Sequence, residues 1–289
     1  MLRIAVAQFN AIVGDLAGNA GRIIECAAVA RARGAQVLVT PELALCGYPP
    51  EDLLLRPDFY RACRRTLDDL AGRVAGIALI VGHPEEHEGQ RYNAATVIEN
   101  GRKTSVYRKI RLPNYEVFDE KRYFDGGSEA CVVTLGGVRC GINICADIWE
   151  AGAAELAHAG GAELLLVLNA SPCHLEKHCQ RVEVLRERIA ATRIPAIYVN
   201  LVGGQDELVF DGASFALDAG GICRMRLPAF EEALGFVDYE AGSLRSDDMA
   251  EELAIEAEAY GALILGVRDY IGKNAFKGAI IGLSGGIDS

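Results

Sequence analysis

The amino-acid sequence predicts a layered α/β fold built on parallel or mixed sheets. Three observations carry this. Short apolar runs that read as strands buried on both faces alternate with amphipathic helical segments. The first such unit is a strand–helix–strand succession within about forty residues. Further strands are paired through tight glycine turns at Asn100-Gly101 and Gly136-Gly137.

Residues 2–9 are mostly apolar and form the first expected strand. After a Gly14-Asp15 loop, Asn19 is the expected N-cap of a helix running to about Arg33. Its apolar face carries Ile23, Ile24, Ala27, Ala28 and Ala30, and Gly34 suits the stop. Residues 36–40 are the next buried strand, closed by Pro41 and followed by Glu42. Gly47, Pro49 and Pro50 shape a loop, a helix spans roughly 57–74, and 77–82 is another buried strand. His83 and His87 fall in a polar stretch expected to be solvated.

Residues 92–99 and 103–108 form a hairpin whose exit is Lys109. The charged and aromatic stretch 110–124 reads as a functional loop. Residues 131–135 and 138–144 make a second hairpin that delivers Cys145 just before a helix at 151–159. A strand at 164–168, a helix at 177–192, a strand at 196–201 and a hairpin of 214–217 with 222–225 follow. Residues 235–250 lose periodicity and read as a linker. A helix at 251–273 and an apolar strand at 279–283 precede the closing Ser284-Gly285-Gly286-Ile287-Asp288-Ser289.

Composition limits the function classes. A chain of 289 residues is one large domain or two small ones, with ample length for a core. No apolar run is long enough to span a bilayer, and the N-terminus is too short and alternating for a signal peptide. Both point to the cytoplasm and away from membranes. A net charge of −11, with only Arg61, Arg64 and Arg65 clustered, argues against nucleic acid as a partner. Nine cysteines without a C-x-x-C pair imply reduced thiols. Cys173, His174, His178 and Cys179 lack the second ligand pair of a structural zinc site, so no metal is expected.

The chemistry lies at three strand ends. At pH 7 little of an ordinary thiol is thiolate. A helix start or a nearby Lys109 ammonium favours the thiolate at Cys145, and a nearby Glu42 carboxylate can take the thiol proton. Burial would raise the Glu pKa toward the working range. Such a set can attack a carbonyl carbon, hold the oxyanion, expel ammonia and hydrolyse the thioester. A non-catalytic Cys/His metal or redox protein would leave Glu42 and Lys109 unexplained.

Glu42, Lys109 and Cys145, in that order and context, resemble the Glu-Lys-Cys triad of the nitrilase (carbon–nitrogen hydrolase) superfamily. E-L-A-L-C-G-Y-P-P-E-D-L-L from Glu42, K-I-R-L-P-N-Y-E-V-F-D-E-K-R-Y-F from Lys109 and the cysteine stretch resemble one branch, the glutaminase domains of glutamine-dependent NAD synthetases. The helix segment Y-G-A-L-I-L-G-V-R-D-Y-I and the final S-G-G-I-D-S resemble the start of the synthetase domain of that branch. The residue after the cysteine is usually acidic there; here it is Ala146.

The resemblance implies Cys145 as nucleophile, Glu42 as general base, Lys109 as oxyanion stabiliser and Glu120 as a supporting glutamate. It implies Tyr48, Tyr115, Ser171 and Lys177 as glutamine-binding residues. Ser284, Gly285, Gly286, Asp288 and Ser289 would be an incomplete PP-loop for ATP, whose following helix is missing. It further implies a nitrilase-like α-β-β-α sandwich over residues 1–240. Residues 241–289 would be a linker helix and the truncated start of a PP-loop α/β domain, its first strand included. The chain is then expected to be a piece of a longer, homo-oligomeric ligase. Its glutaminase part needs no cofactor, whereas the complete enzyme uses ATP and Mg2+ to amidate nicotinic acid adenine dinucleotide with ammonia from L-glutamine. A stand-alone amidase or other hydrolase of the superfamily is the alternative.

Overall fold

The computed structural model describes residues 1–115 and 118–286. In chain order the first half contains β1 (Leu2–Gln8), α1 (Leu16–Ala32), β2 (Val37–Val39), α2 (Pro57–Arg73), β3 (Ala78–His87), β4 (Gln90–Glu99), β5 (Arg102–Arg108), β6 (Cys131–Leu135) and β7 (Val138–Ile144). The second half contains α3 (Ala153–Ala159), β8 (Leu164–Asn169), α4 (Lys177–Thr192), β9 (Ala196–Asn200), β10 (Val202–Gln205), β11 (Leu208–Asp211), β12 (Phe215–Leu217), β13 (Cys223–Arg226), β14 (Ala233–Glu240), β15 (Ser243–Arg245) and α5 (Ile255–Lys273).

Two mixed sheets result, in the orders β15-β14-β1-β2-β3-β4-β5 and β13-β12-β9-β8-β7-β6. The strands β1, β2 and β3 are parallel, as are β7, β8 and β9. Alternating side chains point to opposite faces of a strand. Ile4, Val6, Val37 and Val39 therefore meet Ile142, Leu166 and Ile197 of the other sheet. The intervening Ala5, Ala7 and Leu38 pack with Ile23 of α1 and Leu67 of α2. On the far side, Leu165, Val167 and Tyr198 pack with Ala154 of α3 and with Leu185 and Ile189 of α4. The layers are helix, sheet, sheet, helix, the expected α-β-β-α sandwich.

Several local expectations are corrected. Helix α1 starts a turn early, capped by Asp15, which accepts from Gly18 N at 2.9 Å. The Asn19 amide instead holds both backbone groups of Ile12 and the carbonyl of Leu45. His83 is no loop residue. Glu88 and Gly89 both have positive φ, which suits a tight hairpin turn, so β3 runs on to His87 and buries His83 against Thr96 at 2.6 Å. His87 is exposed.

The expected linker at 235–250 is largely sheet. β14 pairs antiparallel with all of β1, burying Gly235, Val237 and Tyr239, while Arg3 pairs with Asp238. The seven-stranded sheet runs on to Arg245, a few residues past 240. The glycine-bearing hairpin β10–β11, not among the expected strands, packs under α5. Residues 279–283 form no strand. Ile280, Ile281 and Leu283 are exposed, because a buried strand exists only where neighbours supply hydrogen bonds and cover.

Candidate active site

Four chain exits converge. Glu42 follows β2, Lys109 follows β5, Cys145 follows β7 and Ala170 follows β8. Glu42 is fully buried, Lys109 is 1% exposed, and Glu120 and Cys145 are each 5% exposed. Burial of so many ionisable groups is tolerable only with mutual pairing.

The Lys109 ammonium supplies that pairing. Its Nζ donates to Glu42 Oε1 at 2.6 Å and to both oxygens of Glu120 at 2.8 and 2.9 Å. Asn93 Nδ2 donates to Glu42 Oε1 at 2.7 Å, and Ala170 N donates to Glu42 Oε2 at 2.9 Å. Tyr48 Oη donates to Glu120 Oε1 at 3.1 Å. The turn holding Glu42 passes so close to Gly82 that a Cβ there would stand 2.5 Å from Leu43 N and Pro41 O.

Burial pushes the Glu120 carboxyl up to about 7, against the pull of Lys109. Burial disfavours the Lys109 ammonium, but Glu120 and Glu42 overcome it and hold the proton more firmly than in free lysine. Cys145 departs from expectation. It begins a four-residue 3-10 turn, Cys145–Ile148, and not an α-helix. Burial, then the Glu42 carboxylate, push its thiol well above the ordinary range, opposed by Lys109. The Cys145 thiol therefore holds its proton more firmly than a free thiol. Cys145 also has φ +42, a left-handed conformation that costs about 1–3 kcal/mol in a non-glycine residue.

The structure brings Tyr48 and Glu120 to one cleft of about 270 Å³, lined also by Pro49, Phe118 and Tyr123. Tyr115 is half exposed beside it, its ring edge-on to Phe118. Glu42, Lys109, Cys145, Ser171 and Lys177 do not line that cleft. The Ser171 hydroxyl accepts from Arg181 Nε at 3.0 Å, and the Lys177 ammonium lies 4.4 Å over the Trp149 ring. Among the described residues no group of His, Cys, Asp or Glu could hold a metal ion; the His178 ring packs edge-on to Phe215.

Of the expected PP-loop, Ser284, Gly285 and Gly286 are exposed, and Gly286 N donates to Ser284 Oγ. These three residues are the described part of the motif. Asp288 and Ser289 lie outside the described residues.

Some residues escaped the sequence reading. Arg181 is fully buried on the α4 stripe with Leu185 and Ile189. It makes a double hydrogen bond to Asp211 at 2.7 and 2.8 Å and holds the carbonyls of Ser171 and Pro172. An arginine in register with apolar i+4 and i+8 neighbours was the available signal. Asn93, a polar residue in an apolar strand, was another. Asp147, two residues after the cysteine, is buried and engaged by four donors.

The chain is similar to known proteins over its whole length. A profile described as carbon-nitrogen hydrolase matches residues 3–247. The glutamine-dependent NAD(+) synthetase of Xanthomonas campestris pv. campestris (strain 8004) is 47% identical over 298 residues, covering 100% of this chain and 53% of that protein. That of Thermotoga maritima is 40% identical, covering 100% and 56%. The chain spans about half the length of the curated relatives it matches. Among solved structures, a glutamine-dependent NAD+ synthetase from Acinetobacter baumannii in complex with ADP superposes with TM-score 0.95 and 37% identity, over 99% of this chain and 55% of that one. An amidase from Nesterenkonia sp. AN1, with acrylamide added at its active-site cysteine, superposes with TM-score 0.74 and 31% identity, over 83% of this chain and 94% of that one.

Proposed function

The chain belongs to the carbon–nitrogen hydrolase family, and from this we propose that it is the glutaminase part of a glutamine-dependent NAD synthetase. The observation that carries the reading is the buried Lys109 ammonium held between the carboxylates of Glu42 and Glu120, with the Cys145 thiol at the adjoining strand exit. Residues 1–240 are the hydrolase domain in this reading. Residues 241–289 are a linking helix and the start of a synthetase domain.

In the proposed reaction Glu42 takes the proton of the Cys145 thiol as sulfur attacks the side-chain amide carbon of L-glutamine. The Lys109 ammonium, with a backbone N–H, holds the negative oxygen of the tetrahedral intermediate. The C–N bond breaks, the proton on Glu42 goes to the departing nitrogen, and ammonia leaves a thioester. Water then attacks the thioester carbon, giving up a proton to Glu42. The C–S bond breaks, glutamate leaves, and the proton returns to sulfur. Glu120 keeps the ammonium in place, and Tyr48 and Tyr115 border the cleft through which glutamine enters.

In a protein of the relatives' length the ammonia would pass to nicotinic acid adenine dinucleotide, with ATP and Mg2+ driving the amidation. Self-association belongs to the same reading. Tyr260, Leu263 and Val267 on α5 are exposed apolar side chains suited to burial against another surface.

The test is ammonia release from L-glutamine against a panel of short aliphatic amides and nitriles, with Cys145→Ala as control. Preference for glutamine supports the reading. Preference for a simple amide favours the second one, a stand-alone amidase, which the match to nearly the whole length of the Nesterenkonia enzyme supports. Release that survives Cys145→Ala sinks both.

A further inference from the structure

We infer that Asp147 is a positioning residue that sets the Cys145 thiol against the Lys109 ammonium. Its carboxylate is fully buried. Oδ2 accepts from Ile144 N at 2.9 Å and from Tyr107 Oη at 2.7 Å. Oδ1 accepts from Ile110 N at 3.1 Å and from Arg111 N at 2.8 Å. Ile144 immediately precedes Cys145, and Ile110 immediately follows Lys109.

The significance lies in the topology. Lys109 leaves β5, at the edge of the seven-stranded sheet, whereas Cys145 leaves β7 of the six-stranded sheet. No strand pairing links β5 to β7, so sheet hydrogen bonds cannot fix the spacing of the two exits. One carboxylate spans the gap by binding backbone N–H groups on both sides, and bonds to an ionised acceptor are the stronger kind. The same carboxylate holds the entry to Cys145, whose positive φ needs support from its surroundings. An asparagine here would turn its NH2 toward Ile144 N or toward the Ile110 and Arg111 amides, leaving N–H facing N–H.

The inference rests on the proposed roles of Cys145 and Lys109. Its test therefore reads the thiol directly as well as turnover. Asp147→Asn and Tyr107→Phe are made in the 289-residue chain and assayed for ammonia release from L-glutamine and for alkylation of Cys145 by iodoacetamide. For Asp147→Asn we expect kcat to fall by about 100-fold, the scale of an ångström-level misplacement. KM should stay within about threefold, since no substrate contact is removed. Alkylation of Cys145 should slow as well.

Tyr107→Phe removes one donor of four and leaves the three backbone bonds. It should show a smaller loss in kcat and alkylation rate, again with little change in KM. Wild-type kcat and alkylation in a folded Asp147→Asn, or a change confined to KM, overturns the inference. Should Asp147→Asn not fold, Tyr107→Phe decides by the same criteria, and a wild-type alkylation rate overturns it. The functional reading fails separately, through a wild-type chain that alkylates normally but releases no ammonia.

Discussion

Lys109 Nζ lies 2.6 Å from Glu42 Oε1, a contact between two fully buried side chains 67 residues apart in the chain. Glu120 shares the same ammonium. Burial, with the Glu42 carboxylate adding to it, sets how the groups around this contact hold their protons. Glu120 holds its proton more tightly than an ordinary carboxyl, and so does the Cys145 thiol. In the proposed reaction it is Glu42 that takes the proton of that thiol.

Cys145→Ala removes the proposed nucleophile and only a small buried volume. Ammonia release should fall by at least about 1,000-fold, as expected for loss of a nucleophile. Circular dichroism and the melting temperature should stay near wild type. Residual release at wild-type rate would move the chemistry elsewhere.

Lys109→Met leaves Glu42 and Glu120 facing each other without a cation. Breaking a buried pair in this way costs about 3–5 kcal/mol, read as a lowered urea midpoint. Adding Glu120→Gln to Lys109→Met should recover part of that loss, because one of the stranded charges is gone. A double variant less stable than Lys109→Met would contradict the pairing described above.

Glu120 predicts a pH dependence of stability. Its folded-state pKa is raised to about 7 from an ordinary value of 4.5. The folded state therefore binds the proton more tightly than the unfolded chain. The stabilisation is fully present below the unfolded value and is lost as pH rises through about 7. Urea midpoints of wild type minus those of Glu120→Gln should decline between those two values. A flat difference would mean that Glu120 titrates normally.

Arg181→Ala strands Asp211 and frees the carbonyls of Ser171 and Pro172, beside the Ala170 N–H that holds Glu42. The cost should be about 3–5 kcal/mol, as for other broken buried pairs. Arg186→Ala, on the same helix but in an exposed pair with Glu183, should cost only about 0–1 kcal/mol. Equal effects of the two substitutions would show that burial of Arg181 carries no weight.

Much of the fold was legible in the residues themselves. The runs at β1, β2, β3, β7 and β8 declare themselves through their apolar residues, and the turns at Asn100-Gly101 and Gly136-Gly137 through residue types that accept the positive φ found there. β14 also carried a signal in its alternation Gly235, Val237, Tyr239, which Asp238 between them and Glu240 after them obscured. The β10–β11 hairpin carried little, because a strand containing Gly203 and Gly204 has few side chains to reveal it.

The site divides in the same way. Glu42, Lys109 and Cys145 could be named from the chain because each follows a recognisable strand, and each resembles a known pattern in its own short stretch. Their partners could not be named so. Asn93, Asp147 and Arg181 are polar residues whose meaning depends on what packs against them, and Ala170 contributes only a backbone N–H, 128 residues from the carboxylate it serves. Strand, helix and turn preferences arise among near neighbours, so the order of residues reveals them. Which buried polar groups must satisfy one another is settled when two sheets close on a common core and exclude water, and only the folded chain brings those groups within 3 Å.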